Sequence, residues 1–122
     1  MSRQFDKVHA LTIIAAVAIA ANRFVSFDGT LTVVAPASGG KDCAGVSEEA
    51  AAVGGAVSVI TGYSALVEAS AAISVGAYVK PAADGSGKAA AGALADHCGR
   101  ALSAATAAGQ LLEVQITEHV HA

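Results

Sequence analysis

Cys98-Gly99-Arg100-Ala101-Leu102-Ser103-Ala104-Ala105-Thr106-Ala107-Ala108-Gly109-Gln110-Leu111-Leu112-Glu113-Val114-Gln115-Ile116 is a stretch that the chain carries twice. The other copy runs from Cys43 to Thr61, without a gap, at an offset of 55 residues. Cys43 falls on Cys98, Ala50 on Ala105, Ala52 on Ala107, Gly54 on Gly109, Val57 on Leu112 and Val59 on Val114. Each copy reads as an Ala-rich turn, a glycine that stops it, and an apolar/polar alternation. Leu112, Val114 and Ile116 share one side, and Glu113, Gln115 and Thr117 the other, the period of a strand with one buried face.

The duplication extends upstream. Ala15, Ala18, Ile19, Phe24 and Val25 match Ala69, Ala72, Ile73, Tyr78 and Val79 at an offset of 54. Asn22 matches Gly76, and both residue types tolerate a left-handed backbone. Asp28-Gly29 and Asp84-Gly85 follow at an offset of 56, the mark of a small loop change. Each half reads as strand, tight turn, strand, Asp-Gly turn, strand, Ala-rich turn, strand.

With 122 residues the chain makes one domain, able to bury roughly two-thirds of its unfolded surface. Hydrophobic residues make up 54%, yet aromatics are 4% and Trp is absent. Much of that apolar content is Ala, and with 13 glycines it suits close-packed short strands over long helices. The net charge is −3, with no basic patch to attract nucleic acid or an anionic membrane. A weakly charged, Ala-rich surface suits an assembly subunit better than a solitary monomer.

Residues 1–9 form a polar N-terminal arm with Phe5 and Val8 as its only anchors. The expected layout is this arm followed by a single β domain over 10–122, with pseudo-repeats at about 10–61 and 64–117. The apolar run Ala10–Ala21 admits three readings. It is too short to cross a membrane as a helix. Ala18-Ile19-Ala20 imitates an export cleavage site, but Asp6 dilutes the basic region such a signal needs. A buried strand pair is the better reading, since the matching stretch carries Glu68 and Ser70. Ser47, with Glu48 and Glu49 behind it and Gly54 beyond, predicts one or two short helical turns. The terminal strand is expected to reach about Val120.

Chemistry-bearing groups are sparse. Gly85-Ser86-Gly87-Lys88-Ala89 is reminiscent of a phosphate-binding loop, but Ala82 and Ala89 stand where that motif needs Gly and a hydroxyl residue. A plain turn fits better. Cys43 and Cys98 could pair or supply half a zinc site, but no Cys-x-x-Cys spacing supports zinc, and burial as small hydrophobes suits both. His119 and His121 project from one face of the last strand without a third ligand, and His9 and His97 are isolated. No catalytic, cofactor-binding or metal residues are assigned, no cofactor is expected, and the chain is read as a non-enzyme.

The second half, Val67-Glu68-Ala69-x-Ala71-Ala72-Ile73-x-x-Gly76-x-x-Val79, then Asp84-Gly85, then Gly99-Arg100-Ala101-Leu102 through Gly109 to Val114, resembles the small capsid cement or decoration proteins of tailed phages. Arg23-Phe24-Val25 and Gly45-Val46-Ser47 with the following Ala run resemble them too, so the likeness covers roughly residues 10–117. The long N-terminal arm and the cysteine pair depart from it. The resemblance implies an all-β fold, a compact sandwich or barrel of jelly-roll type, attached outside an icosahedral shell of major capsid protein. It implies a virion protein of the outer capsid surface, assembled in the host cytoplasm, with no catalytic residues. In that reducing compartment the two cysteines are expected as free thiols. Self-association as a dimer or trimer at a symmetry axis is also expected. The alternative is a bacterial extracytoplasmic or adaptor β-module with the apolar run as an uncleaved signal. An enzyme ranks third.

Overall fold

A computed structural model describes residues 10–27, 33–38 and 43–117. The N-terminal arm, the Asp28-Gly29 turn, His9, His119 and His121 lie outside the described residues.

Among the described residues, ten short strands make an all-β fold: β1 (Ala10–Ala15), β2 (Phe24–Phe27), β3 (Val33–Pro36), β4 (Gly45–Ser47), β5 (Ala56–Ile60), β6 (Ser64–Glu68), β7 (Tyr78–Pro81), β8 (Ala89–Ala91), β9 (Gly99–Ala101) and β10 (Leu111–Ile116). The first five close into a barrel in the order β1-β3-β2-β4-β5. The last five form a second sheet in the order β6-β10-β9-β7-β8. The expected barrel is present in the first half, which closes on itself through a parallel β1–β3 pairing, Ile14 to Val33 and Ala15 to Val34.

Several pairings stand at comparable positions of the two halves. Ile13 pairs with Val57 and Leu11 with Val59; Val67 pairs with Leu112 and Ala65 with Val114. Val25 pairs with Gly45 and Val79 with Gly99. Ile19 bridges Ala51 as Ile73 bridges Ala105. Asn22 and Gly76, at φ 61° and 84°, make the same left-handed turn, and each amide reaches the carbonyl of the matching strand, Ser47 or Ala101. These comparable positions lie 54 residues apart as far as Ala51/Ala105 and 55 apart at Gly54/Gly109. Cys98 consequently matches Ala44, not Cys43: the amides of Ala44 and Cys98 donate to Val25 O and Val79 O, both at 2.7 Å.

The helical turns expected after Ser47 do not form, and no helix is present among the described residues. Ser47 belongs to β4, and its hydroxyl donates to Ala20 O at 2.7 Å instead of capping a turn. Glu48 N donates to Ser58 O, and Ala51 exchanges both backbone bonds with Ile19. Cross-chain pairing therefore uses the groups that a local turn would have used.

Two cores result. Ile13, Ala15, Ile19, Val25, Val34, Val57 and Val59 fill the barrel. Ala65, Val67, Ile73, Val79, Cys98, Leu112 and Val114 fill the second half, joined there by Phe24, Val46 and Ile60. Phe24 pairs with Val46 and Val46 with Ile60, so these three share the barrel's outer face. That face is the seam between the halves, and β4 is buried on both sides.

Candidate functional site

The second sheet does not close as the barrel does. Among the described residues, one parallel bridge, Ala69 to Ala89, stands where the β1–β3 ladder would be. Backbone from the first half spans the opening. Glu68 N, at the end of β6, donates to Asn22 O at 2.9 Å. Phe24 N donates to Gly87 O, just before β8, at 2.7 Å. Phe24 itself is 1% exposed and packs into the second core. The opening in one half is therefore filled by the other.

Charge reinforces this seam. Arg23 Nη2 meets Glu68 Oε1 at 3.1 Å, and Lys88 Nζ meets Glu68 Oε2 at 3.2 Å. Arg23 Nη1 also donates to Ser86 O at 3.1 Å. Burial pushes the Glu68 carboxyl up, but the Lys88 hydrogen bond and the Arg23 charge outweigh it and hold it below the usual range. The Gly85-Ser86-Gly87-Lys88 segment is a turn, with Ser86 N donating to Asp84 Oδ1 at 2.9 Å. The Ser86 hydroxyl, and after it that backbone contact, hold the Asp84 carboxyl below its ordinary value. With Lys88 held by Glu68 and Ser86 O by Arg23, the turn is a seam element, unlike a phosphate cradle.

Cys43 and Cys98 are bonded to each other across the same seam, which corrects the expectation of free thiols. Their Cα atoms lie 6.1 Å apart, within ordinary disulfide range. Cys98 is 3% exposed in the second core; Cys43 is only partly buried against it.

The outer face of the second half carries a polar row. Tyr78 pairs with Arg100, and Arg100 with Gln115. The Arg100 guanidinium stacks over the Tyr78 ring at 4.8 Å and donates to Gly76 O at 2.9 Å. The matching row of the first half is Phe24, Val46 and Ile60, the apolar side of the seam. Large apolar side chains are exposed along β1 and its continuation, at Leu11, Ile14 and Val17. Their counterparts in the second half are Ala65, Glu68 and Ala71.

Among the described residues no three of His, Cys, Asp and Glu come together as a metal site. No helix among them is long and apolar enough to cross a membrane. The His97 ring packs against Tyr78 at a tilt of 48°, centroids 4.7 Å apart, with Nδ1 3.2 Å from Ala93 O.

The phage cement protein family model matches residues 4–116. The chain belongs to the phage cement protein family. Among solved structures, it is similar to the N base of head fiber gp8.5 in bacteriophage phi29, at 21% identity and a TM-score of 0.73. The alignment covers 92% of this chain and 98% of that one, so the two share the whole fold. No curated protein matches. Membership makes this cement protein a structural component of a phage capsid. Sequence reasoning reached the family but missed the seam, whose only sequence signal was apolar residues at Phe24, Val46 and Ile60 in strands that also face a barrel.

Proposed function

We propose that this chain binds the outside of an assembled shell of major capsid protein and stabilises it without catalysing a reaction. The observation that carries the reading is the family match over residues 4–116. Three physical features support it. The charged side chains Arg23, Glu68 and Lys88 engage one another across the seam and hold the halves together. Exposed Leu11, Ile14 and Val17 offer apolar surface of a kind that assembly covers. The seam joins the halves by apolar packing, ion pairs and a disulfide, which suits a part that must resist deformation.

The reading includes a duplicated unit, one repeat at about 10–61 and the other at 64–117, behind an N-terminal arm at 1–9 that lies across a neighbouring subunit. It includes self-association as a dimer or trimer at a symmetry axis, with no nucleic acid, membrane or cofactor. Assembly takes place in the host cytoplasm, and the disulfide is compatible with this because virion surfaces later meet oxidising surroundings.

Purified particles with and without the protein, heated in parallel, test the reading. Binding to the shell and not to free capsid protein raises the temperature of shell loss by mass action. Equal survival of the two particle types would overturn the cement role. Undiminished binding after deletion of residues 1–9 would overturn the part given to the arm.

A further inference from the structure

We infer that Cys43 and Cys98 form a staple that closes on an already folded chain, with Cys43 as the sulfur through which oxidants and reductants enter. The inference concerns the isolated chain, so its failure would leave the cement reading untouched.

The bridge is not needed to bring the halves together. Thr61-Gly62-Tyr63 links them covalently, Phe24, Val46 and Ile60 bury the seam, and Arg23, Glu68 and Lys88 tie its edge. The hydrogen bonds beside the cysteines belong to the strands: Cys98 N donates to Val79 O at 2.7 Å, and Thr117 N donates to Cys98 O at 3.0 Å. With the Cα atoms 6.1 Å apart, two thiols fit where the bridge is, and closing it requires no rearrangement of the backbone.

The two cysteine residues are unequally buried. Cys98 is 3% exposed among Val79, Leu112 and Val114, whereas Cys43 is only partly buried. Thiol–disulfide exchange requires a thiolate to approach a sulfur directly. A small disulfide oxidant such as oxidised glutathione can therefore reach Cys43 but not Cys98. The Cys43 thiolate attacks one glutathione sulfur, forms a mixed disulfide and expels one glutathione thiolate. Cys98, its proton lost to water, then attacks the Cys43 sulfur, forms the protein disulfide and expels the second glutathione thiolate. Two protein thiols lose two electrons, and one oxidised glutathione becomes two reduced molecules. Opening runs the same path backwards, with the reductant attacking Cys43 and Cys98 leaving. The chain would thus fold with free thiols where it is made and lock in oxidising surroundings.

The test uses the full chain, reduced, desalted and mixed with oxidised glutathione, with acid quenching and intact-mass detection. The wild type should lose two hydrogens and retain no glutathione. Cys98→Ala should accumulate one glutathione, and Cys43→Ala should do so on the order of tenfold more slowly, the gap vanishing in denaturant. Early-quenched wild type, peptide-mapped, should carry its mixed disulfide on Cys43, a reading that needs no variant to fold. Far-ultraviolet circular dichroism of the reduced wild type should match that of the oxidised form. Equal native rates for the two variants, a mixed disulfide mapped to Cys98, or an unfolded reduced chain would each overturn the inference.

Discussion

Arg23 Nη2 lies 3.1 Å from Glu68 Oε1, joining the residue before β2 to the last residue of β6 across 45 positions of sequence. Lys88 takes the other carboxylate oxygen, so one acid holds two cations from different halves. In the first half the position of Glu68 is occupied by Ile14. The clasp is therefore particular to the seam and no part of the shared strand pattern.

This clasp predicts a pH dependence with a definite sign. The folded state holds the Glu68 carboxyl below its ordinary value of 4.5. Its contribution is fully present above the unfolded pKa and is lost as pH falls through the lower folded one. Glu68→Gln should cost about 1 kcal/mol at neutral pH, a modest figure for a partly solvated network. The difference between wild type and variant should vanish at the acid end, where wild-type Glu68 is itself neutral. Urea melts at a series of pH values check this; a constant gap down to pH values well below 4.5 would contradict it.

The two phenylalanines of β2 should separate cleanly. Phe24 is 1% exposed in the seam, whereas Phe27, three residues on, is 37% exposed. Phe24→Ala should destabilise by about 3–5 kcal/mol, since it empties the core of the second half as well as the seam. Phe27→Ala should cost under about 1 kcal/mol. Equilibrium denaturation of both variants decides the matter.

Much of the strand order was legible because it rests on local signals. The Asn22/Gly76 turn and the glycines after each Ala run stood in the sequence, and their φ angles are positive as those signals demand. Where local and tertiary demands competed, local reading failed. Ser47 with Glu48 and Glu49 has the pattern of a helix start, yet β4 and β5 use those backbone groups. Glu113, on the side of β10 expected to be polar, is 2% exposed and accepts a hydrogen bond from the Ser64 hydroxyl at 2.9 Å. The cysteines share an offset of 55 in sequence, but the backbone bond that Cys98 makes to Val79 O has its like in the bond of Ala44, not Cys43, to Val25 O. The seam stayed hidden because its apolar row comes from three strands whose register only the folded chain reveals.

Gly45 and Gly99 give a paired prediction. A Cβ on Gly45 would run into Ile60 O and Val59 Cγ1, and one on Gly99 into Gln115 O and Val114 Cγ1. The neighbours include strand backbone that carries ladder bonds, so neither can give way cheaply. Ala at either position should destabilise by about 2–3 kcal/mol, by overpacking. Gly85→Ala, with open space around it and φ of 80°, should cost about 1 kcal/mol through backbone strain alone. Thermal melts should rank the first two together and well below the third.

The disulfide should dominate the thermal stability of the isolated chain. It closes a loop with a sequence separation of 55, and cross-linking a loop of that length removes denatured-state entropy worth about 4 kcal/mol. For a domain of this size that corresponds to a Tm difference of roughly 10–20 °C between oxidised and reduced forms. The bridge acts on the unfolded chain, whereas the clasp acts on the folded one. The stabilising effects of the disulfide and of Glu68 should therefore add. Reduction should lower the Tm of wild type and of Glu68→Gln by the same amount. Cys43→Ala with Cys98→Ala in one chain should melt close to the reduced wild type, and added reductant should leave its Tm unchanged. Calorimetry of the three proteins, each with and without reductant, checks both points. A reduction-induced shift much smaller in Glu68→Gln than in wild type would mean that the bridge works by holding the seam in the folded state.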